Sequence, residues 1–136
     1  MQDYPSHQYN YRVYYEHTDA GGVVYHSRYL NFFERARTDW LRDKGIIQSI
    51  LQKKYNMVYV VTSADIKFKK PARMDDTLTV TSQLTKIKRA SMEIYQEMYS
   101  QDDVLLATVV IKAASVKADT FAVVALPEKI REDLIK

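Results

Sequence analysis

The chain has 136 residues, with 20 lysines and arginines, 17 aspartates and glutamates, three histidines and no cysteine. This length fits one domain with a sizeable core, which we expect to cover residues 1–136. The absence of cysteine excludes a disulfide, a thiolate nucleophile and a cysteine zinc site, and the net charge of +3 favours anionic partners only weakly. The N-terminal stretch MQDYPSHQYNYRVYYEH lacks the plan of an export signal, and no apolar run reaches the roughly 20 residues of a membrane span. We expect a cytoplasmic protein, and peripheral association with the inner membrane stays open.

The first two predicted elements are a strand and a long helix. Apolar and polar residues alternate over residues 8–16, which is typical of a half-buried strand. A loop with two glycines follows, and Ser27 is a suitable N-cap for a helix over about 28–44. Because the apolar surface of that helix is broad, we expect a sheet to wrap around it.

The second half of the chain is predicted to be mostly strand. After a short helix in IIQSILQKKY, the apolar period becomes two in MVYVVTSADIKFKK, DTLTVTSQLTKI, SMEIYQEMYS and VLLATVVIKAASVKA. The joints PARMDD, KR and QDD are short, which predicts that consecutive strands are antiparallel neighbours. Pro127 would open a last helix. This order predicts an α+β fold with one antiparallel sheet, whose open edges indicate a homo-oligomer.

Asp19 is the sharpest candidate for chemistry. It lies in a loop that leads into a predicted helix N-terminus, where free backbone N–H groups and the helix dipole favour negative charge. A carboxylate at such a place could attack a carbonyl or activate a water, while the N–H groups stabilise the tetrahedral intermediate. Gly21 and Gly22 would permit close approach of a substrate. The alternative is that Asp19 only caps a turn.

His26 could orient a substrate, carry a proton or donate its backbone N–H, or it could be a local hydrogen-bonding group. His17, Asp19 and His26 could also be metal ligands, but their spacing matches no helix-based zinc pattern. The chain contains no G-x-S-x-G elbow, no G-x-G-x-x-G and no P-loop. We therefore predict neither a metal nor a cofactor.

Two blocks carry a family resemblance: RVYYEHTDAGGVVYHSRYLNFFERARTDWL, and DIKFKKPARMDDTLTV with the β-rich segments after it. They resemble the acyl-CoA thioesterases of the hot-dog superfamily, in the branch related to 4-hydroxybenzoyl-CoA thioesterase, bacterial members of which are encoded beside the Tol-Pal cell-envelope system. The resemblance covers nearly the whole chain. It implies a five-stranded antiparallel sheet around one long central helix, and hydrolysis of acyl-CoA to a carboxylic acid and coenzyme A.

The resemblance also implies roles for individual residues. Asp19 would be the nucleophile or general base, and the backbone N–H of His26 would be the oxyanion donor. Residues expected near the substrate are Gly22, Tyr25 and Tyr29. Where this branch usually reads E-D-T-D, the chain reads EHTD, with His17 in place of an acid. This departure questions the role of that position more than it questions the reaction.

Coenzyme A carries phosphates, which lysine and arginine bind by charge-assisted hydrogen bonds. Our candidates are Lys86, Lys88 and Arg89, with Lys69, Lys70 and Arg73 behind them. Active sites of this fold lie between subunits, so the resemblance implies a homo-oligomer, with a dimer of dimers common in this branch.

Three other functions compete with acyl-CoA hydrolysis. One is hydrolysis of acyl groups carried on acyl carrier protein, an acidic partner that a basic surface would suit. Another is a non-catalytic module that binds lipid metabolites or envelope proteins, which would have no need for Asp19. Nucleic-acid binding is the least favoured, because no strongly basic face is evident.

Overall fold

The structure is a computed structural model that describes residues 4–136. Residues 1–3 lie outside the described residues. The predicted domain over residues 1–136 and the interpretation of the N-terminal stretch are therefore not covered there. In chain order the elements are β1 (Ser6–Arg12), a 3₁₀ helix (Tyr15–His17), α1 (His26–Asp43), α2 (Gln48–Tyr55), β2 (Met57–Phe68), β3 (Thr77–Ile87), β4 (Ser91–Tyr99), β5 (Leu105–Lys117) and α3 (Glu128–Ile135). Within residues 4–136, no helix combines the length and the apolar character needed to cross a membrane.

The five strands form one sheet in the order β1-β3-β4-β5-β2, and every neighbouring pair is antiparallel. The helix α1 covers one face of this sheet through its buried residues Tyr29, Phe32, Phe33, Ala36, Trp40 and Leu41. Facing them are inward residues of the central strands, among them Val80, Leu84, Ile94, Met98, Val109 and Ile111. The predicted α+β architecture of a five-stranded sheet around one long helix is therefore confirmed.

One prediction about the strand order is wrong. The joint PARMDD does not connect neighbouring strands, because β2 pairs with β5 at one edge and β3 lies three strands away. Residues 69–76 instead cross the end of the sheet and bind the loop before α1. Val24 donates its backbone N–H to the Ala72 carbonyl at 2.8 Å, and Met74 donates to the Gly22 carbonyl at 3.2 Å. These hydrogen bonds replace the ladder of a hairpin.

The predicted boundaries around the first loop also change. The strand predicted over residues 8–16 ends at Arg12, and Tyr15 lies in the 3₁₀ helix with 81% of its surface exposed. Ser27 is not the N-cap, because α1 begins at His26 and its N-cap is Tyr25. The backbone of Tyr25 is extended, and its N–H donates to the His17 carbonyl at 3.0 Å. The helical conformation therefore begins at the next residue, His26.

Candidate active site

The loop over residues 18–24 folds back on itself immediately before α1. Asp19 donates its backbone N–H to the Val23 carbonyl at 2.9 Å, and Gly22 donates to the Asp19 carbonyl at 3.0 Å. A β-bridge between Thr18 and Val24 closes the base of the loop. Since residues 69–76 are bonded to its other side, the loop has a defined backbone although its surface is exposed.

The carboxylate of Asp19 stands at the tip of this loop. Its Oδ1 accepts the backbone N–H of Gly21 at 2.8 Å, and the residue is exposed. A Cβ added at Gly21 would lie 3.2 Å from that oxygen, and Gly22 has a φ of +78°, which favours glycine. Asp19 therefore does stabilise a turn, as one of our interpretations held, and it also presents its carboxylate to the surface.

The start of α1 supplies unpaired donors. Tyr25 forms no side-chain capping hydrogen bond, and the first turn contains no acidic residue. The N–H groups of His26 and Ser27 have no partner inside the helix because they belong to its first turn. The exposed His26 ring stacks on that of Tyr25, with 4.3 Å between centroids. The positive end of the helix dipole is thus open to an anionic oxygen.

Tyr29 is buried below this surface. Its hydroxyl accepts the backbone N–H of Ala72 at 2.9 Å, and its ring meets that of Phe68 edge-on at 5.1 Å. It therefore joins α1, the 69–76 segment and the end of β2. Contact of Tyr29 with a substrate stays a prediction, as it does for Gly22 and Tyr25.

His17 is a buried residue with a structural role. Its Nδ1 accepts the backbone N–H of Tyr14 at 2.9 Å, and its ring lies 4.7 Å from that of Phe32. Burial lowers the pKa of His17, which favours the neutral ring. Among residues 4–136, no three histidine, aspartate or glutamate side chains are grouped so that they could hold a metal ion.

The basic candidates divide between two ends of the molecule. Lys86 lies nine residues along β3 from Thr77, which is about 30 Å at the usual rise of a strand. Arg73, in contrast, forms a β-bridge with Val23 in the loop that carries Asp19. Within one chain, Lys86, Lys88 and Arg89 therefore cannot reach the same small site as Asp19.

The distant lysines line a cavity of about 210 Å³ together with a residue that sequence reasoning missed. Lys112 on β5 is paired with Glu93 on β4, which is in turn paired with Lys86 on β3. Lys88 completes the group, and Glu93 is the acidic member of the lining. The alternating pattern of β5 predicts that Lys112 lies on the outer face. Only the strand register shows that it shares one row across the sheet with Glu93 and Lys86.

Comparison with known proteins settles the family. A family model described as the thioesterase-like superfamily matches residues 13–134. The chain belongs to the thioesterase-like superfamily. This member is 38% identical over 120 residues to a Haemophilus influenzae protein named acyl-CoA thioesterase YbgC, and the match covers 88% of each chain. It is 40% identical over 95 residues to an Escherichia coli O6:H1 protein named acyl-CoA thioester hydrolase YbgC, with 70% of each chain covered.

A solved structure supports the same family. The crystal structure of a hypothetical protein from Aquifex aeolicus superposes on this thioesterase-like chain with a TM-score of 0.87 at 30% identity, covering 94% of this chain and 98% of the other. The resemblance seen in the sequence is thereby confirmed for family and fold. In this member, a surface carboxylate and free helix N–H groups lie at the same end of α1, an arrangement suited to attack on a carbonyl and stabilisation of its oxyanion.

Proposed function

We propose that the protein hydrolyses acyl-CoA thioesters at the Asp19 loop. The observation that carries the proposal is the exposed Asp19 carboxylate, held in a bonded loop directly before the uncapped N-terminus of α1. The names of the Haemophilus influenzae and Escherichia coli relatives support the same reaction. We also infer that residues 1–136 act as one domain, since one core cluster extends from Val13 to Leu134.

In the proposed reaction, the thioester carbonyl lies between the Asp19 carboxylate and the backbone N–H of His26. Asp19 either attacks the carbonyl carbon or removes a proton from the water that attacks it. The N–H of His26 stabilises the oxyanion of the tetrahedral intermediate, and one such donor is typically worth ~10²–10³ in rate. The C–S bond then breaks, and coenzyme A leaves as the thiol after taking up a proton. On the general-base route, the attacking water supplies the new oxygen of the carboxylic acid. On the nucleophilic route, the acyl group stays on Asp19 as an anhydride, which a water molecule then hydrolyses to the carboxylic acid and the free Asp19 carboxylate.

A second copy of the chain would complete the site. β2 is an edge strand, and its large apolar residues Val61 and Phe68 are 53% and 51% exposed. If two copies pair antiparallel through β2, the twofold axis exchanges the strand ends. The Lys86 end of one copy then meets the Asp19 end of the other. We therefore propose that Lys86, Lys88, Lys112 and Arg89 bind the phosphates of a coenzyme A whose thioester lies at the partner's Asp19.

The proposed chemistry is tested by Asp19→Asn. This variant keeps an oxygen that can accept the Gly21 N–H, so the loop should persist, but it lacks the nucleophilic or basic carboxylate. We expect kcat/KM for acyl-CoA hydrolysis to fall by at least ~10²-fold, the scale of general-base catalysis. Thiol release is measured with short, long and aromatic acyl-CoAs.

Asp119→Asn is the matched control, because Asp119 is also an exposed aspartate in a turn, but that turn follows β5 and does not lead directly into a helix. It should retain wild-type turnover. Full activity of Asp19→Asn in a folded protein of the same oligomeric state would contradict the assignment of the site.

Acyl carrier protein is the second candidate substrate carrier. Lys69, Lys70 and Arg73 are exposed near the Asp19 loop and would suit an acidic partner. A higher kcat/KM with acyl carrier protein than with coenzyme A, for the same acyl group, would favour this alternative.

In either case we propose that the protein is a cytoplasmic homo-oligomer. A dimer of dimers and contact with the inner membrane are further expectations.

A further inference from the structure

A second cavity lies between the C-terminal half of α1 and the sheet. Its volume is about 250 Å³, well above the roughly 30 Å³ that one water molecule occupies. Leu41, Val61, Ile94 and Ile111 are among the residues that form its apolar walls. Its polar lining includes Glu34, Arg37 and Tyr59. The cavity is therefore suited to an apolar chain that carries a polar group.

Tyr59 supplies a hydrogen-bond donor without an acceptor. Its hydroxyl oxygen is buried and makes no hydrogen bond with any residue in the range 4–136. Burial raises the pKa of Tyr59, so the phenol keeps its proton and remains a donor. A buried hydroxyl is normally paired with a protein group or an ordered water, so the unpaired phenol of Tyr59 leaves a donor unsatisfied in a residue of the cavity wall.

Arg37 supplies further donors in a fixed position. Its Nη1 donates to Oε1 of Gln96 at 3.0 Å. The amide nitrogen of Gln96 in turn donates to the Phe33 carbonyl and to Oγ of Ser82, both at 2.9 Å. Because Gln96 is fully buried and bonded through both ends of its amide, it holds the guanidinium in place. Within the described residues, Arg37 forms no ion pair with a carboxylate that would occupy its other N–H groups.

The charges around the cavity favour a neutral ligand group. Glu34 lines the same cavity and is the acidic residue whose charge acts on Arg37. Its charge balances that of Arg37, so a carboxylate on the ligand would gain little and would be repelled by Glu34. A hydroxyl or keto oxygen would accept hydrogen bonds from Tyr59 and Arg37 without bringing a charge.

The position of the cavity relates it to the reaction. Its β2 residues, Tyr59 and Val61, lie in the first half of that strand, whereas Phe68 at the other end packs on Tyr29 near the Asp19 loop. The antiparallel pairing of β2 described above would bring the cavity of one copy beside the Asp19 of the other. We propose that this cavity receives the acyl group of the substrate and selects acyl chains that carry an uncharged oxygen, through Tyr59 and Arg37 of the partner copy. This inference rests on the proposed thioesterase function.

The test compares matched acyl-CoAs on the full-length protein. Plain acyl-CoAs of increasing length are paired with keto and hydroxyl derivatives of the same chain, such as pentanoyl-CoA with 4-oxopentanoyl-CoA. For at least one chain length, we expect the oxygenated substrate to have a kcat/KM about tenfold higher, the scale of one net hydrogen bond. Tyr59→Phe should reduce this ratio toward one. Glutaryl-CoA, which carries a carboxylate, should gain no such preference.

Two controls separate binding from folding. Tyr95→Phe removes a hydroxyl from the outer face of β4, where it bonds Glu97, and should leave the ratio unchanged. Tyr59→Phe should not lower the unfolding temperature, because the hydroxyl that it removes has no partner. An equal ratio in wild type and Tyr59→Phe would overturn the inference while leaving the proposed hydrolysis intact.

The remaining outcomes are also decisive. If no acyl-CoA is hydrolysed, the proposed function fails, and the cavity is tested by calorimetric titration with the uncharged methyl esters of 4-oxopentanoic and pentanoic acid. Tighter binding of the oxo ester that Tyr59→Phe abolishes would support the site but assign it to a free small molecule. Equal or absent binding of the two esters would overturn the site itself.

Discussion

His17 and Asp19 are two residues apart in the chain and have opposite surroundings. The ring of His17 is buried against Phe32 and bonded to the backbone of Tyr14, whereas the carboxylate of Asp19 is exposed at the tip of the next turn. A neutral imidazole therefore fits the site of His17, the position where the chain departs from the E-D-T-D pattern expected of the branch that it resembles. The departure from that pattern at His17 therefore changes a buried residue below the Asp19 loop. The proposed reactive group, the Asp19 carboxylate, is retained.

The surroundings of His17 predict how stability depends on pH. Its pKa is lowered from 6.5 by burial, so the unfolded chain binds a proton at a higher pH than the folded one does. Stability should therefore decrease as the pH falls through 6.5 toward the lower folded pKa. In His17→Asn, whose side-chain oxygen can accept the Tyr14 N–H, this decrease should be smaller. Urea unfolding between pH 7.5 and pH 5 measures the difference.

His26→Asn is the matched control for this experiment, because His26 is exposed at the start of α1. It should keep the wild-type dependence on pH. An unchanged slope in His17→Asn would contradict the assigned cause.

At the scale of elements, the loop over residues 18–24 and the segment 69–76 hold each other in place before α1. Their hydrogen bonds connect Val24 with Ala72 and Gly22 with Met74, and the Tyr29 hydroxyl adds a bond from the helix itself. The loop conformation depends on glycine, since Gly22 has a φ of +78°. Loop shape and activity should therefore change together.

Gly22→Ala and Gly45→Ala form a matched pair that tests this dependence. Both glycines have positive φ, at +78° and +79°, and an added Cβ would meet no atom within 4 Å at either site. Each substitution should lower the free energy of unfolding by about 1–2 kcal/mol through backbone strain. Only Gly22→Ala should also lower kcat/KM, because Gly45 belongs neither to the Asp19 loop nor to the lining of the proposed acyl cavity. Chemical unfolding and thiol release measure the two effects.

Equal losses of activity in the two glycine variants would show that general destabilisation, rather than loop shape, governs turnover.

The elements were more predictable than their neighbours in the sheet. Periodicity alone predicts the inward faces of β3, β4 and β5, and the structure buries Val80, Ile94 and Ile111 as expected. It does not predict that β2 pairs with β5, because a short joint such as PARMDD fits a hairpin as well as a crossing. Strand register likewise decides which residues share a cavity. Arg37 illustrates the limit, since a charged helix residue usually indicates a solvated face, and its bond to Gln96 depends on tertiary packing.

At the scale of the whole molecule, β2 is the edge through which a second copy would complete the site. It has exposed apolar residues along an unpaired edge, a combination that proteins usually cover. The proposed phosphate site and the acyl cavity both lie toward one end of the sheet, and the Asp19 loop lies toward the other. Activity should therefore require pairing of copies.

Ala64→Asp tests this requirement. Ala64 is exposed in the middle of β2, so a twofold pairing would bring two added carboxylates together. We expect the variant to be monomeric in sedimentation at concentrations where the wild type is not, and to lose most of its acyl-CoA hydrolysis. Ala64→Ser, which adds a polar group without charge, should remain oligomeric and active. A wild-type protein that is monomeric and fully active would contradict the shared site.

The order β1-β3-β4-β5-β2 has a consequence for synthesis in the cell. β2 ends at Phe68, but its partner β5 begins only at Leu105, so the strand emerges from the ribosome well before its partner. At roughly 5–20 residues per second, the ribosome needs several seconds to make the intervening chain. During that time both edges of β2 are unpaired. Nascent chains on neighbouring ribosomes of the same message carry the same unpaired strand. The strand that would join two finished copies is thus also exposed to other nascent copies, without its own partner, during synthesis.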